Sequence, residues 1–201
     1  MTLVDLADGM PQLRLAPGDA LDRMTLPETA LILVSDGLVV MRTSFPGSTR
    51  RMITSHAGAG ALMLPPENGD VLVALTEAAL VPISAGTRDE LLGSREAARL
   101  LVDGLEETLR QKHGAIVSLS RLHHVDRVRE KLIELAREHG RVGRDGIRLD
   151  FPLTHDLLGE MVGSARETVT RALDELQREG FVVRRGRTYS VNLEPEQLAA
   201  S

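Results

Sequence analysis

The stretch Leu153 to Arg187, LTHDLLGEMVGSARETVTRALDELQREGFVVRRGR, decides the fold. A polar start at Thr154 precedes apolar Leu157, Leu158, Met161 and Val162, which predicts a short helix. Gly163-Ser164 supplies a turn. Ser164 with Glu167 three residues on has the spacing of a capping box, so Ser164 is expected to cap a second helix. That helix carries Val169, Ala172, Leu173 and Leu176 on one stripe at i, i+3, i+4, i+7 spacing. Arg166, Glu167, Thr170 and Arg171 then face outward near its start. Phe181-Val182-Val183 and Tyr189-Ser190-Val191 flank Arg184-Arg185-Gly186-Arg187, which predicts a hairpin with Gly186 in the turn.

The outward residues have the chemistry of base reading. An arginine offers two parallel donors that match guanine O6 and N7, and a glutamate accepts from the cytosine amino group. Glu167 and Arg171 lie one helical turn apart and can reach neighbouring base pairs. Alone, such a pair is a solvated i, i+4 couple worth about 0.2–0.5 kcal/mol. The turn, the buried stripe and the hairpin beside it point instead to double-stranded DNA as the partner. Arginines at the hairpin tip suit phosphates, which position a protein without carrying sequence information.

Net charge is −5, unusual for a DNA binder, but its distribution is uneven. Between Ser164 and Arg187 six arginines stand against four acidic residues. The remaining acidity is expected to suppress non-specific binding. The chain has no cysteine, which excludes disulfides, thiolate zinc sites and cysteine-ligated iron–sulfur clusters. Aromatic content is 2%, too little for stacking unpaired bases, so single-strand binding is disfavoured. No signal-peptide pattern or membrane-span length occurs, and a cytoplasmic protein with no membrane partner is expected.

The segment Gly163-Ser164-Ala165-Arg166-Glu167-Thr168-Val169-Thr170-Arg171 resembles the signature of the CRP/FNR family of transcription regulators. The resemblance covers about residues 122 to 193. It implies that Arg166, Glu167 and Arg171 contact bases, and that Ser164, Thr168 and Thr154 touch the DNA backbone. Arg184, Arg185 and Arg187 join the backbone set from the hairpin. It further implies a two-fold site with TGTGA-like half-sites, and RNA polymerase as a further partner.

Upstream, short apolar runs separated by Pro17-Gly18-Asp19, Pro46-Gly47 and Pro65-Pro66 suggest a jelly-roll barrel to about residue 87. Leu31-Ile32-Leu33-Val34 and Leu38-Val39-Val40-Met41 around Ser35-Asp36-Gly37 read as a hairpin. Strands are also expected near Arg51 to Thr54, Val71 to Leu75 and Ala79 to Ile83. A helix from Arg88 to Leu122 follows. Val102, Leu105, Leu109, Ile116 and Leu119 fall near 3-and-4 spacing, a seam for a second copy. Another helix runs from Asp126 to His139. A loop from Gly140 to Gly146 leads to a short strand at Ile147 to Phe151.

The expected class is α+β. It has an N-terminal jelly-roll barrel like a cyclic-nucleotide-binding domain (1–87), a long dimerisation helix (88–122) and a C-terminal winged helix-turn-helix (123–201). Family members that bind a cyclic nucleotide carry a Gly-Glu pair followed by Arg and Ser or Thr. Here the region reads Gly58-Ala59-Gly60-Ala61-Leu62-Met63-Leu64-Pro65-Pro66, without the Glu. No Lys or Arg lies between Arg51 and Arg88, while Glu67, Asp70 and Glu77 do. A buried phosphate without a cation is costly, so no cAMP binding in the usual mode is expected. His56 and His113 are weak haem candidates, and no spacing gives a metal site. No cofactor and no enzymatic activity are expected. The alternatives are a regulator gated by a non-nucleotide small molecule in the barrel and, less favoured, a metal-dependent cupin-like barrel enzyme.

Overall fold

In the computed structural model, which describes residues 2–26, 28–120, 123–143, 146–186 and 188–193, the chain divides into two units, Met1–Gly114 and Ala115–Ser201. The first unit opens with the single turn α1 (Leu3–Leu6). Eight strands follow: β1 (Leu13–Leu15), β2 (Ala20–Leu21), β3 (Thr29–Asp36), β4 (Leu38–Ser44), β5 (Arg51–Gly58), β6 (Leu62–Met63), β7 (Asp70–Ala74) and β8 (Ala78–Ser84). They form two antiparallel four-stranded sheets, ordered β1-β8-β3-β6 and β2-β7-β4-β5.

The two apolar runs around Gly37 do not pair with each other, contrary to the hairpin expected there. β3 pairs with β8 and β6, whereas β4 pairs with β5 and β7. The Ser35-Asp36-Gly37 turn is a corner between sheets. Gly37 has φ of 82°. A Cβ on it would lie 2.1 Å from the Glu77 carbonyl oxygen and 2.6 Å from the Ala78 Cα. Gly37→Ala is therefore expected to cost on the order of 3 kcal/mol, combining left-handed strain with a backbone clash. Thermal unfolding of the variant checks this, and an unchanged midpoint would remove the corner's requirement.

Burial follows strand parity. Ile32 and Val34 of β3 and Leu80 of β8 meet Val39, Met41 and Leu72 in the space between the sheets. Leu31, Leu33, Val81 and Ile83 point the other way and pack with Leu62 and Leu101. The β3–β8 pair is thus covered on both faces, which is why LILV is a continuous apolar run rather than an alternating one. Pro82 is tolerated because β1 pairs with β8 only from Ala78 to Leu80, leaving the proline's missing donor off that ladder.

The expected single helix from Arg88 is two helices, α2 (Ala85–Leu92) and α3 (Arg95–Leu119). The break falls at Gly93-Ser94, where the Ser94 hydroxyl accepts from the Ala97 N–H at 3.4 Å and restarts the helix. Within the first unit, α3 lays Ala97 and Leu101 against the barrel. Gly104 continues that face: a Cβ there would be 2.8 Å from Leu3 and 2.9 Å from Leu62. The Thr108 hydroxyl donates to the Leu62 carbonyl at 2.8 Å. These positions recur at 97, 101, 104 and 108, one stripe of the helix. Val102, Leu105, Leu109 and Ile116 are exposed.

The second unit contains α4 (His124–His139), β9 (Gly140–Gly143), β10 (Gly146–Leu149), α5 (His155–Val162), α6 (Arg166–Arg178), β11 (Val182–Arg185) and β12 (Thr188–Val191). Its sheet is ordered β11-β12-β10-β9. The segment expected as a loop from Gly140 therefore contains a strand, since β10 pairs with β9 from Gly146↔Gly143 to Leu149↔Gly140. Val128, Leu132 and Leu135 of α4 are buried with Leu158, Leu173, Leu176 and Tyr189. Arg129 of α4 pairs with Glu179 and lies 4.6 Å above the Phe181 ring.

Candidate nucleic-acid interface

The candidate surface is built by α5, the turn after it, α6 and the β11–β12 hairpin. The Thr154 hydroxyl accepts from the Leu157 N–H at 3.1 Å and caps α5, as its sequence position predicts. α5 ends at Gly163, which is left-handed with φ 63° and ψ 35°. The tightness of the turn depends on Gly159: the Ser164 N–H donates to its carbonyl at 3.0 Å, and a Cβ there would lie 2.7 Å from the Ser164 carbonyl oxygen. Val169, Ala172, Leu173 and Leu176 are buried, all four positions of the predicted stripe.

Ser164 departs from the sequence expectation. The N-cap of α6 is Ala165, whose side chain makes no cap hydrogen bond. The Ser164 hydroxyl instead lies 2.9 Å from His124 Nδ1 and 3.3 Å from Arg127 Nη2. The capping box does not form because tertiary partners from α4 take the hydroxyl. One consequence is chemical. The N-cap residue offers the first N–H groups of α6 no side-chain acceptor, an arrangement that favours an incoming anion.

Arg166, Glu167 and Arg171 are exposed on α6, and Thr168 is half-buried. Arg166 Nη1 is 3.7 Å from Asp156, with both side chains well exposed, so the pair is weak and easily exchanged for another partner. Arg171 Nε donates to the Glu167 backbone carbonyl at 3.4 Å. On the hairpin, Arg184 is opposite Tyr189 and Arg185 is opposite Thr188, so the two arginines leave on opposite faces. Arg184 Nε donates to the Gly186 carbonyl at 3.0 Å across the tip. Arg187 lies outside the described residues.

Sequence reasoning missed His155. Its Nδ1 is 2.8 Å from the Thr170 hydroxyl and its Nε2 is 3.1 Å from the Tyr189 hydroxyl. The ring joins α5, α6 and β12. Its pKa is held below the ordinary imidazole value by burial first, then by the charges of Arg184 and Arg166. Burial pushes the Tyr189 hydroxyl above the usual phenol value. The signal in the sequence was a histidine directly after a helix cap, but its partners lie 15 and 34 residues away.

Two antiparallel sheets with a long helix, followed by a helix-turn-helix with a β wing, define the architecture of a β-barrel domain followed by a winged helix-turn-helix. Residues 126–201 match the Crp-like helix-turn-helix domain. This match covers the C-terminal part of the chain, the helix-turn-helix and its wing. It is 37% identical over 84 residues to the global nitrogen regulator of Synechocystis sp., covering 42% of this chain and 37% of that protein. It is 22% identical over 179 residues to the CRP-like cAMP-activated global transcriptional regulator of Mycobacterium tuberculosis, covering 86% of this chain and 80% of that protein. Against three global nitrogen regulators, the match spans only 37%, 41% and 39% of their length. A CooA mutant from Carboxydothermus hydrogenoformans superposes with a TM-score of 0.78 at 17% identity, covering 98% of this chain and 94% of that one. FixK2 from Bradyrhizobium japonicum does so with a TM-score of 0.76 at 19% identity, covering 94% and 95%. These structural likenesses concern the fold alone. Among the described residues no helix is long and apolar enough to cross a membrane.

Proposed function

We propose that the protein is a cytoplasmic, sequence-specific DNA-binding transcription regulator of the CRP/FNR type. It binds a palindromic TGTGA-like site as a homodimer, without cAMP, and acts on RNA polymerase. The observation that carries this reading is the exposed surface on which Arg166, Glu167 and Arg171 project from the uncapped start of α6 beside the arginine-tipped wing. In this reading Arg166, Glu167 and Arg171 read base edges. Thr154, Ser164, Thr168, Arg184, Arg185 and Arg187 hold phosphates on either side. The role calls for no catalytic step.

Salt dependence tests it. Arg185→Ala is expected to weaken binding to all duplex sequences alike. The slope of log affinity against log salt should fall by about 1 for each phosphate no longer neutralised. An equal slope in variant and parent would remove Arg185 from the interface, and no duplex binding by the parent would overturn the reading.

Dimerisation is supported by the outer face of α3, where Val102, Leu105, Leu109, Ile116 and Leu119 are exposed on a helix whose other face is occupied. Two-fold DNA sites are matched by two-fold proteins.

Independence from cAMP is supported by a barrel cleft of about 110 Å³ whose wall includes Thr54, His56, Met63, Glu67, Asp70 and Lys112. Lys112 adds to the sequence reading: a cation reaches the cleft from α3, outside the interval that lacks Lys and Arg. Glu67 and Asp70 share that wall and oppose a phosphate. The same cleft favours a second reading, control by a small non-nucleotide ligand. A shift of the melting temperature with added ligand separates the two readings.

A further inference from the structure

The hydrogen bonds around His155 run in one direction. The Thr170 hydroxyl donates to the Arg166 carbonyl at 3.0 Å. With that proton used, Thr170 can only accept from His155 Nδ1, 2.8 Å away, an arrangement that calls for the tautomer with the ring proton on Nδ1. In a neutral imidazole this leaves Nε2 as the acceptor for the Tyr189 hydroxyl at 3.1 Å. Tyr189 is buried, and its raised pKa keeps it a donor. The chain therefore runs from Tyr189 to His155, to Thr170, to the Arg166 carbonyl. It begins in the wing, opposite Arg184, and ends in the first turn of α6.

We propose that His155 is a positioning residue that fixes the wing against the first turn of the recognition helix, so that base reading by Arg166 and phosphate contact by Arg184 occur in one register. This inference rests on the DNA-reading function proposed above. It concerns a residue that touches neither a base nor a phosphate in that account, and it assigns the ring a required tautomer. Protonation undoes the arrangement. It converts Nε2 from acceptor to donor and removes the acceptor for the Tyr189 proton. It also adds a positive charge beside Arg166 of α6 and Arg184 of β11. Asp156 of α5 and Asp174 of α6 offset that charge only partly, since the net pKa shift is downward. The downward shift favours the neutral ring, and the register is expected to be lost as pH falls below the ordinary imidazole range.

Conservative variants separate positioning from folding. Tyr189→Phe and Thr170→Val each delete one link with little change in volume, and Thr170→Ser restores the hydroxyl. Fluorescence anisotropy of each on a TGTGA-type palindrome and a scrambled duplex, at fixed salt from pH 5.5 to 8, reads the outcome. Circular dichroism melting runs alongside to show that each variant is folded. The expected result at pH 7.5 is a roughly tenfold loss of selectivity in Tyr189→Phe and Thr170→Val, recovered in Thr170→Ser. Parent selectivity should fall on acidification, with no such step in the two deletion variants. Full selectivity and the parent's pH profile in both deletion variants would overturn the positioning role while leaving DNA reading intact. A parent that fails to discriminate the duplexes at pH 7.5 would overturn the DNA-reading function, and this inference with it.

Discussion

Replacing Leu109 and Ile116 together with glutamate is expected to leave the protein folded but monomeric, with affinity for a two-fold duplex lowered roughly 10²- to 10⁴-fold. Both side chains are 69% exposed in the single chain, so their replacement removes little core packing. The barrel-facing stripe of α3, from Ala97 through Leu101 and Gly104 to Thr108, is untouched. Exposed apolar residues recurring along one helix face mark an interface when the opposite face is already buried. Two glutamates facing their own copies would place like charges in a desolvated seam. Each half-site would then be bound alone, without the effective concentration that linkage supplies. Sedimentation velocity reads the assembly and anisotropy reads the affinity. A double variant that remains dimeric and binds as the parent does would move the interface elsewhere.

Arg171→Ala is the second large effect. A bidentate arginine–guanine contact discriminates by about 1–3 kcal/mol. In a two-fold complex the loss occurs twice, so affinity for the palindrome should fall by about 2–6 kcal/mol. Preference should relax at one base pair of each half-site and stay unchanged at the others. The exposed side chain bonds a carbonyl of its own helix, so the melting temperature should hold. Competition among duplexes changed at single positions checks this. A variant that bound the palindrome as tightly as the parent would contradict the assignment of Arg171 to base reading.

What could be read from the sequence was what local pattern decides. The α6 stripe and the Thr154 cap are set within a few residues, and both appear where the pattern placed them. What could not be read was partner choice over distance. Two apolar runs around Asp36-Gly37 look alike whether they pair with each other or turn a corner, and the choice was made by β8 and β7, strands that lie well downstream. Gly140 to Gly143 has no strand pattern of its own and is a strand because β10 offers a ladder. Ser164 has the spacing of a cap, yet its hydroxyl is held by His124 and Arg127. Lys112 lies far in sequence from the cation-free interval between Arg51 and Arg88 that forms the barrel wall. The link through His155 to Thr170 and Tyr189 is a consequence of how the wing folds back, which no spacing along the chain encodes.

The most direct test is fluorescence anisotropy of the purified protein on a TGTGA-type palindrome and on a scrambled duplex, at one salt concentration, with and without cAMP. The predicted result is tight binding to the palindrome, weaker binding to the scrambled duplex, and the same curves with cAMP present. Binding that requires cAMP would contradict the reading of the barrel cleft, and equal affinity for the two duplexes would contradict the recognition surface on α6.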